Sequence, residues 1–500
     1  MTQTFTATAL VALVCATQAQ ADVTAREVWQ AWSDGLARAD GATLETGAEE
    51  ITDALVRIED AVWRLDGGDG AQTIARLGTV EMTTRDDGTV AVTLPDTIPV
   101  EVTAADGGRA SFELQQTGQS LSVGGTAQAM RYDLSSDRLA LALTEATDPD
   151  GTALDLAFRS TLNGIAATYG MQPEAGAGGI VVHDYDATAD SLDLLAEGTD
   201  PESDAPFTVS GRLDRVRIDT DLDLPPSYDA GDTTAMLQAG FAAATDFGYD
   251  ASAWIFRFGG ESGPVEGTAT TGAGGQTFDL SQAGLSVDGE VARITSDITS
   301  PDLPVPVRLS AERYGSELQL PVLPSETAEP FAVRYGLEAL TLDEAVWALI
   351  DPQGAIARDP ASLTIDLSGS ARLDRSLFAE PPAGAESPLA GELRALDVNR
   401  IGLALAGATL DVTGGLTFDP DGPLATGGAP SPEGRLTVDL TGVSALIDGA
   451  IALGFVPADQ AMMGRMMLGM FATQTGEDAL QTVIEFTPDG RILANGQQVR

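Results

Sequence analysis

Apolar and polar residues alternate with a period of two over much of this chain. Val90, Val92 and Leu94 are separated by Ala and Thr; Ala110, Phe112 and Leu114 by Ser111 and Glu113; Met130, Tyr132 and Leu134 lead on to Leu139, Leu141 and Leu143. Successive side chains of a strand point to opposite faces, so each run places one apolar row on one face. The signature returns in Val216, Ile218, Thr220, Leu222 and Leu224, in Leu363, Ile365 and Leu367, in Ile401, Leu403 and Leu405, and in Leu436, Val438 and Leu440. Asp-Gly pairs at 87, 106, 150, 288, 421 and 489 and Asn-Gly at 495 suit short connections between antiparallel neighbours. The pattern predicts a mainly β protein with a few helices, in which a long antiparallel meander forms curved sheet with one apolar and one polar face.

Helical spacing is confined to a few places. Residues 24–38 put Val28, Trp32 and Leu36 on one stripe, and 233–245 and 341–350 behave likewise. Short helices of this kind are expected to cover the apolar face, together with a C-terminal one in the stretch PADQAMMGRMMLGMF at 457–471. That stretch holds five of the ten methionines: Met462, Met463, Met466, Met467 and Met470. On a helix they fall within an arc of about 140°, with Arg465 on the other side. The first expectation is that this stripe packs into the core. The second is an adaptable apolar ligand face, because Met is unbranched and polarisable; a copper site built from thioethers alone, without a histidine partner, ranks last.

Punctuation rich in Gly, Pro and acids at 172–179, 199–206, 259–275 and 379–388 marks loops, and a soft division near 225 separates lobes 22–225 and 226–500. The fragments VSGRLDR at 209 and SGSARLDR at 368 hint at duplication. At the N-terminus an apolar run from Ala7 to Ala16 precedes Ala19, Gln20 and Ala21. This reads as a signal peptide, residues 1–21, cleaved after Ala21 and directing the chain to the periplasm or beyond. Cys15 would then leave with it, and Val14 before it does not suit lipidation, so the mature chain forms no disulfide. No second apolar stretch approaches the roughly 20 residues of a membrane span.

Charge removes whole classes of function. There are 75 acidic and 27 basic residues, a net charge of -48, and every basic residue is Arg. Such a surface repels nucleic-acid phosphates and anionic headgroups, so a nucleic-acid partner is not expected. With one histidine, no lysine and no mature cysteine, Schiff-base, cysteine-nucleophile and His/Cys zinc chemistry are excluded by inventory. His183 has no Gly-x-Ser-x-Gly elbow to serve and reads as an exposed strand-end residue. The row Asp219, Asp221, Asp223 lies on one face of a strand and reads as solvated surface, with cation binding as its alternative. The sequences DPDG at 148 and 419 lack the later ligands of a calcium loop and read as turns. Paired carboxylates could hydrolyse a glycoside, but aromatic residues, which usually line sugar clefts, are only 5% of the chain.

Two stretches, WALIDPQGAIARDPASLTIDLSGSARL at 347–373 and the segment from the Met-rich helix through GEDALQTVIEFTPDGRILANGQQV to 499, resemble an uncharacterised envelope family of Gram-negative bacteria, domain of unknown function 2125. The resemblance implies export and a β-rich body. It transfers no catalytic or binding residue and no cofactor. One departure is Ala357, where the family pattern has Pro, and it concerns a turn. The architecture is also similar, more loosely, to the AsmA-like group, whose curved sheets form an apolar trough for lipid. The reading that unites these features is an exported, non-enzymatic β-rich protein that shields or carries a hydrophobic ligand such as lipid. Its alternatives are a structural or adhesive envelope protein with no small ligand and, third, a carboxylate-dependent hydrolase.

Overall fold

A computed structural model of the protein describes residues 23–499 except 38, 68–69, 174–179, 202, 230–231, 380–390 and 421–429. The expected signal peptide, the Asp421-Gly422 turn and most of the punctuation at 172–179 and 379–388 lie outside the described residues. Among those residues five helices accompany twenty-seven strands, and every strand pairing is antiparallel. The mainly β expectation therefore holds, and the strands form one continuous sheet.

Apart from local skips near the two ends, where Leu55–Asp66 pairs with both preceding strands and Pro432–Thr441 pairs with Ala479–Phe486, the pairing order departs from the chain at two places, where the same device appears. The strand Gln72–Thr84 shares its far edge between two short strands, Val90–Thr93 and Thr97–Thr103. These pair with Ser120–Thr126 and Arg109–Thr117, and both of those close on the long strand Ala129–Thr147. The same connectivity recurs downstream: Pro206–Leu224 pairs with Ala242–Tyr249 and Ala251–Phe258, these pair with Gly274–Ser281 and Val265–Thr271, and both close on Gly284–Thr299. The sheet is thus duplicated, but not where the two short fragments suggested. Residue 209 lies inside the second copy, and 368 lies beyond it in the strand Ala361–Leu373.

Long strands bend where residues are inserted. Asp60, Asp184, Arg215, Arg293 and Ala339 sit in mid-strand with φ of +50° to +53°. The register shifts around Asp60, Asp184 and Ala339, as between Leu337 and Leu340 or between Val182 and Tyr185, whereas at Arg215 and Arg293 the pairing is interrupted and resumes in the same register. An extra residue of this kind kinks its strand and increases the local twist.

Helix α1 (Ala25–Leu36) starts at Thr24, which forms a capping box with Glu27. It lies on the apolar face at the N-terminal end, where Val23, Val28, Val56, Ile58, Met82, Val90, Val123 and Tyr132 are all 0% exposed. Trp63 Nε1 donates to the Leu36 carbonyl and fixes the helix end. Helix α2 (Thr233–Gln238) is shorter than the expected 233–245. Gly240, at φ +106°, ends it, and the strand Ala242–Tyr249 then pairs on both edges, which outweighs helical spacing. Helix α3 (Glu344–Ile350) occupies most of the expected 341–350 segment, and α4 (Val443–Ala452) and α5 (Ala458–Phe471) follow near the C-terminus. Asp288-Gly289 is not a turn, because it lies inside Gly284–Thr299 with partners on both sides. The Asp-Gly pairs at 87, 106 and 489 do sit in turns, closed by hydrogen bonds such as Arg85 N to the Thr89 carbonyl.

Candidate functional site

Registered pairing carries the apolar face across the whole C-terminal half. Tyr314, Leu337, Leu363, Leu403, Leu410, Leu440 and Leu480 are opposite one another in sequence across seven strands. A parallel row runs through Tyr335, Ile365, Ile401, Val412 and Val438. The opposite face of the same strands carries Glu317, Arg334, Asp366 and Arg400 in register. There Arg334 pairs with Glu317 at 2.6 Å and Asp366 at 3.2 Å, and Arg400 pairs with Asp411 at 2.7 Å. Exposed pairs of this kind contribute little to stability individually. They do keep the charge on one side.

Cover over the apolar face is uneven. At the N-terminal end α1 seals it, whereas Tyr335, Leu363, Leu403 and Leu405 are 46%, 38%, 36% and 46% exposed. Large apolar groups in a row, each left partly in water, form an open surface of the kind that marks a binding face.

A small helical unit stands at the border of this open region, and its keystone is a carboxylate that sequence reading passed over. Asp351 ends α3 and is fully buried. Its carboxylate accepts from the backbone N–H groups of Ile356 at 3.0 Å and Ala355 at 2.8 Å. These two amides, with a smaller contribution from Arg358, hold its pKa below the usual carboxylate range. Arg358 donates to the Asp351 carbonyl and lies over the Trp347 ring. The loop so formed presents Ile356 and Ala355 to Gly449 of α4, where a Cβ would overlap the Ile356 side chain. Asp448 of α4 in turn pairs with Arg465 of α5 at 2.6 Å. The two stretches that carry the family resemblance are therefore joined through α4. Ala357, the departure from the family pattern, packs against the Gly407 turn.

The methionine stripe does not pack into the core. Met462, Met463, Met466, Met467 and Met470 are 67%, 65%, 66%, 53% and 51% exposed, and Ala461 is the buried residue of α5. The helix instead rests on the side bearing Ala461 and Arg465, which corrects the first expectation and leaves an apolar surface. At its end the Phe471 carbonyl accepts from Asn495 Nδ2 at 2.8 Å and from Thr482 Oγ1 at 3.4 Å. Thr482 stands opposite Val438 in one of the apolar rows, so α5 is tied to the last part of the open face.

The polar candidates are scattered on the other side of the sheet. Asp219 is opposite Asp186 and Asp246, and with Asp221 and Asp279 it borders a shallow hollow of about 290 Å³. Asp223 pairs further along the same strand, opposite Val181 and Ala242. Three carboxylates abreast repel one another, and no cluster suited to a metal ion occurs among the described residues. His183 is part-exposed, lies over Gly170, where a Cβ would meet its ring, and contacts the Asp184 carboxylate at 2.8 Å. A polar hollow of about 730 Å³ is bordered by Glu101, Arg109 and Glu145, and Glu101 is engaged by Arg76 at 2.8 Å.

Fold and site together define a protein built on one bent antiparallel sheet, sealed at one end and open and apolar at the other. The bacterial family described as "Uncharacterized protein conserved in bacteria (DUF2125)" matches residues 206–496, and the chain belongs to that family. The match begins at the first strand of the second split layer. No curated protein and no solved structure matches the chain. No helix among the described residues is long and apolar enough to cross a membrane.

Proposed function

We propose that this protein is an exported, non-enzymatic carrier or shield for a hydrophobic ligand such as lipid, held on the open apolar face. The observation that carries the reading is the registered row through Leu363 and Leu403, whose side chains line up across the sheet yet remain more than a third exposed. Aligned apolar side chains exposed to water gain free energy when an acyl chain replaces that water, at roughly 25 cal/mol per Å² of apolar surface covered. The helical unit around Asp351 and the methionine face of α5 border this surface and would meet the same ligand.

The test is to recover the protein from the periplasmic fraction without detergent, measure its intact mass, extract it with organic solvent and analyse the extract by mass spectrometry. A chain starting at Asp22 with co-purifying lipid is the expected result. The double variant Leu363→Glu, Leu403→Glu should keep its far-ultraviolet circular dichroism and lose the lipid, because charge now lies along the row. Wild-type protein that yields no lipid above background would refute the carrier reading and leave a structural envelope role.

A further inference from the structure

We infer that the methionine face of α5 is a reversible oxidation site that hydrogen peroxide switches from apolar to polar without disturbing the fold. The described methionines differ in exposure, with Met171 and Met236 half-buried between two extremes. Met82 and Met130 are buried in the core under α1, 0% and 4% exposed, whereas the five on α5 are 51% to 67% exposed and share one side of one helix. Susceptibility of a thioether follows its access to the oxidant, so the two groups must react at different rates.

Among the described residues, the hydrogen bonds and ion pair that anchor α5 involve no methionine side chain. Its anchors are the buried Ala461, the pair of Arg465 with Asp448, the Arg465 contact with the Ser444 carbonyl, and the Phe471 carbonyl held by Asn495 and Thr482. In a core, a sulfoxide would place a strongly polar group among apolar neighbours and unfold its surroundings. Here the same change rewrites a surface and leaves the packing beneath it alone. Leucine would supply the same apolar area without this chemistry.

A methionine sulfur lone pair attacks one peroxide oxygen, the S–O bond forms as the O–O bond breaks, and a proton moves to the departing oxygen, which leaves as water. The sulfur loses two electrons and the peroxide gains them. Sulfoxide reductases, one for each epimer, reverse it with two electrons and two protons from a dithiol, which becomes a disulfide as the oxygen leaves as water. The effect on cargo rests on the carrier reading above, but the oxidation pattern and the change in surface polarity do not.

Full-length protein is treated with dilute hydrogen peroxide and sampled over time by peptide mass spectrometry, with thermal melts and Nile red fluorescence on the same samples. Sulfoxide should form on the α5 methionines at least about tenfold faster than on Met82 and Met130. Nile red fluorescence should fall as it forms, the thermal midpoint should stay level, and the two reductases should restore the fluorescence. Replacing all five methionines by leucine should preserve the dye signal through peroxide treatment. Equal rates at α5 and in the core, or a midpoint that drops in step with α5 oxidation, would overturn the inference. If the α5 pattern appears as stated but wild-type protein carries no lipid, the carrier reading fails and the oxidation site stands.

Discussion

The contrast between a sealed and an open end can be measured with one kind of substitution made at two places. Ile58 is 0% exposed beneath α1, and Leu403 is 36% exposed in the open row. Truncating Ile58 to Ala removes buried carbons and leaves a cavity that the helix above cannot fill, a loss of about 4 kcal/mol. Truncating Leu403 to Ala removes three carbons, worth about 2.4 kcal/mol if wholly buried. About two-thirds of that applies at the observed exposure, and no cavity term is added because water reaches the site, so the cost is about 1.5 kcal/mol. Urea titration followed by tryptophan fluorescence reads both variants, since Trp29, Trp32 and Trp63 lie at the sealed end and Trp254 and Trp347 elsewhere. The midpoint of Ile58→Ala should fall well below that of Leu403→Ala. Equal losses near 4 kcal/mol would mean that something covers Leu403 in solution, and the open-face argument would fail with it.

The helical unit offers a second test. Gly449→Val puts a side chain onto Ile356 and within about 2.8 Å of the Ala355 carbonyl, so it should cost about 1–3 kcal/mol and expose the α4–α5 connection to limited proteolysis. Gly464→Ala in α5, where a Cβ meets nothing within 4 Å, should stabilise slightly; matching proteolysis of the two variants would show that α4 is not seated on the Asp351 loop. The third test uses pH. Burial raises the Tyr132 phenol to about 12, and its ring stacks on Tyr169, whose own phenol burial also raises. The neutral form is the one the fold favours, so the stabilisation is complete below the ordinary tyrosine range near 10 and is lost as pH rises from there towards about 12. Thermal midpoints across that window should fall more steeply for wild type than for Tyr132→Phe, and parallel curves would count against the assignment.

Individual strands were legible in the sequence because alternation is a local property. Val216 to Leu224 and Leu363 to Leu367 face the same way in the structure as the period of two required. Pairing order was not legible, since the shared edge of Gln72–Thr84 depends on contacts far along the chain. Asp288-Gly289 shows the limit of turn signals: the dipeptide tolerates a tight bend but does not impose one when both flanks find partners. The methionine arc was read correctly as one side of a helix, yet periodicity cannot say whether that side meets protein or water. Ala461, small and on the other side, was the available hint of where the helix rests. Asp351 was passed over because an aspartate before Pro-Gln-Gly also reads as an ordinary turn residue. Its burial is a property of the loop that it organises.

The two split layers differ in the helix beside them, and the open row lies beyond both, from Val307–Leu320 to Ala479–Phe486. Each copy presents a bent apolar surface of the same connectivity, so each needs a helix laid across it or a partner to replace one. The first copy has α1, twelve residues long, with Val28 and Trp29 turned onto the sheet. In the second copy α2 has six residues and Leu237 as its buried side chain, and its neighbours are the Ser376 hydroxyl and the Gln282 amide at the margin. The helices that follow, α3, α4 and α5, are held by Asp351, Gly449 and the Asp448–Arg465 pair, none of which lies in the apolar rows. The chain therefore anchors these helices outside the rows through Leu363 and Leu403 and through Ile365 and Ile401. If α2 were extended through Gly240 and the strand after it, the pairing of Ala242–Tyr249 would be lost. In the second split layer strand pairing thus wins over a longer helix, and in the strands beyond it Tyr335, Leu363 and Leu403 stay part-exposed because α3, α4 and α5 are anchored outside their rows.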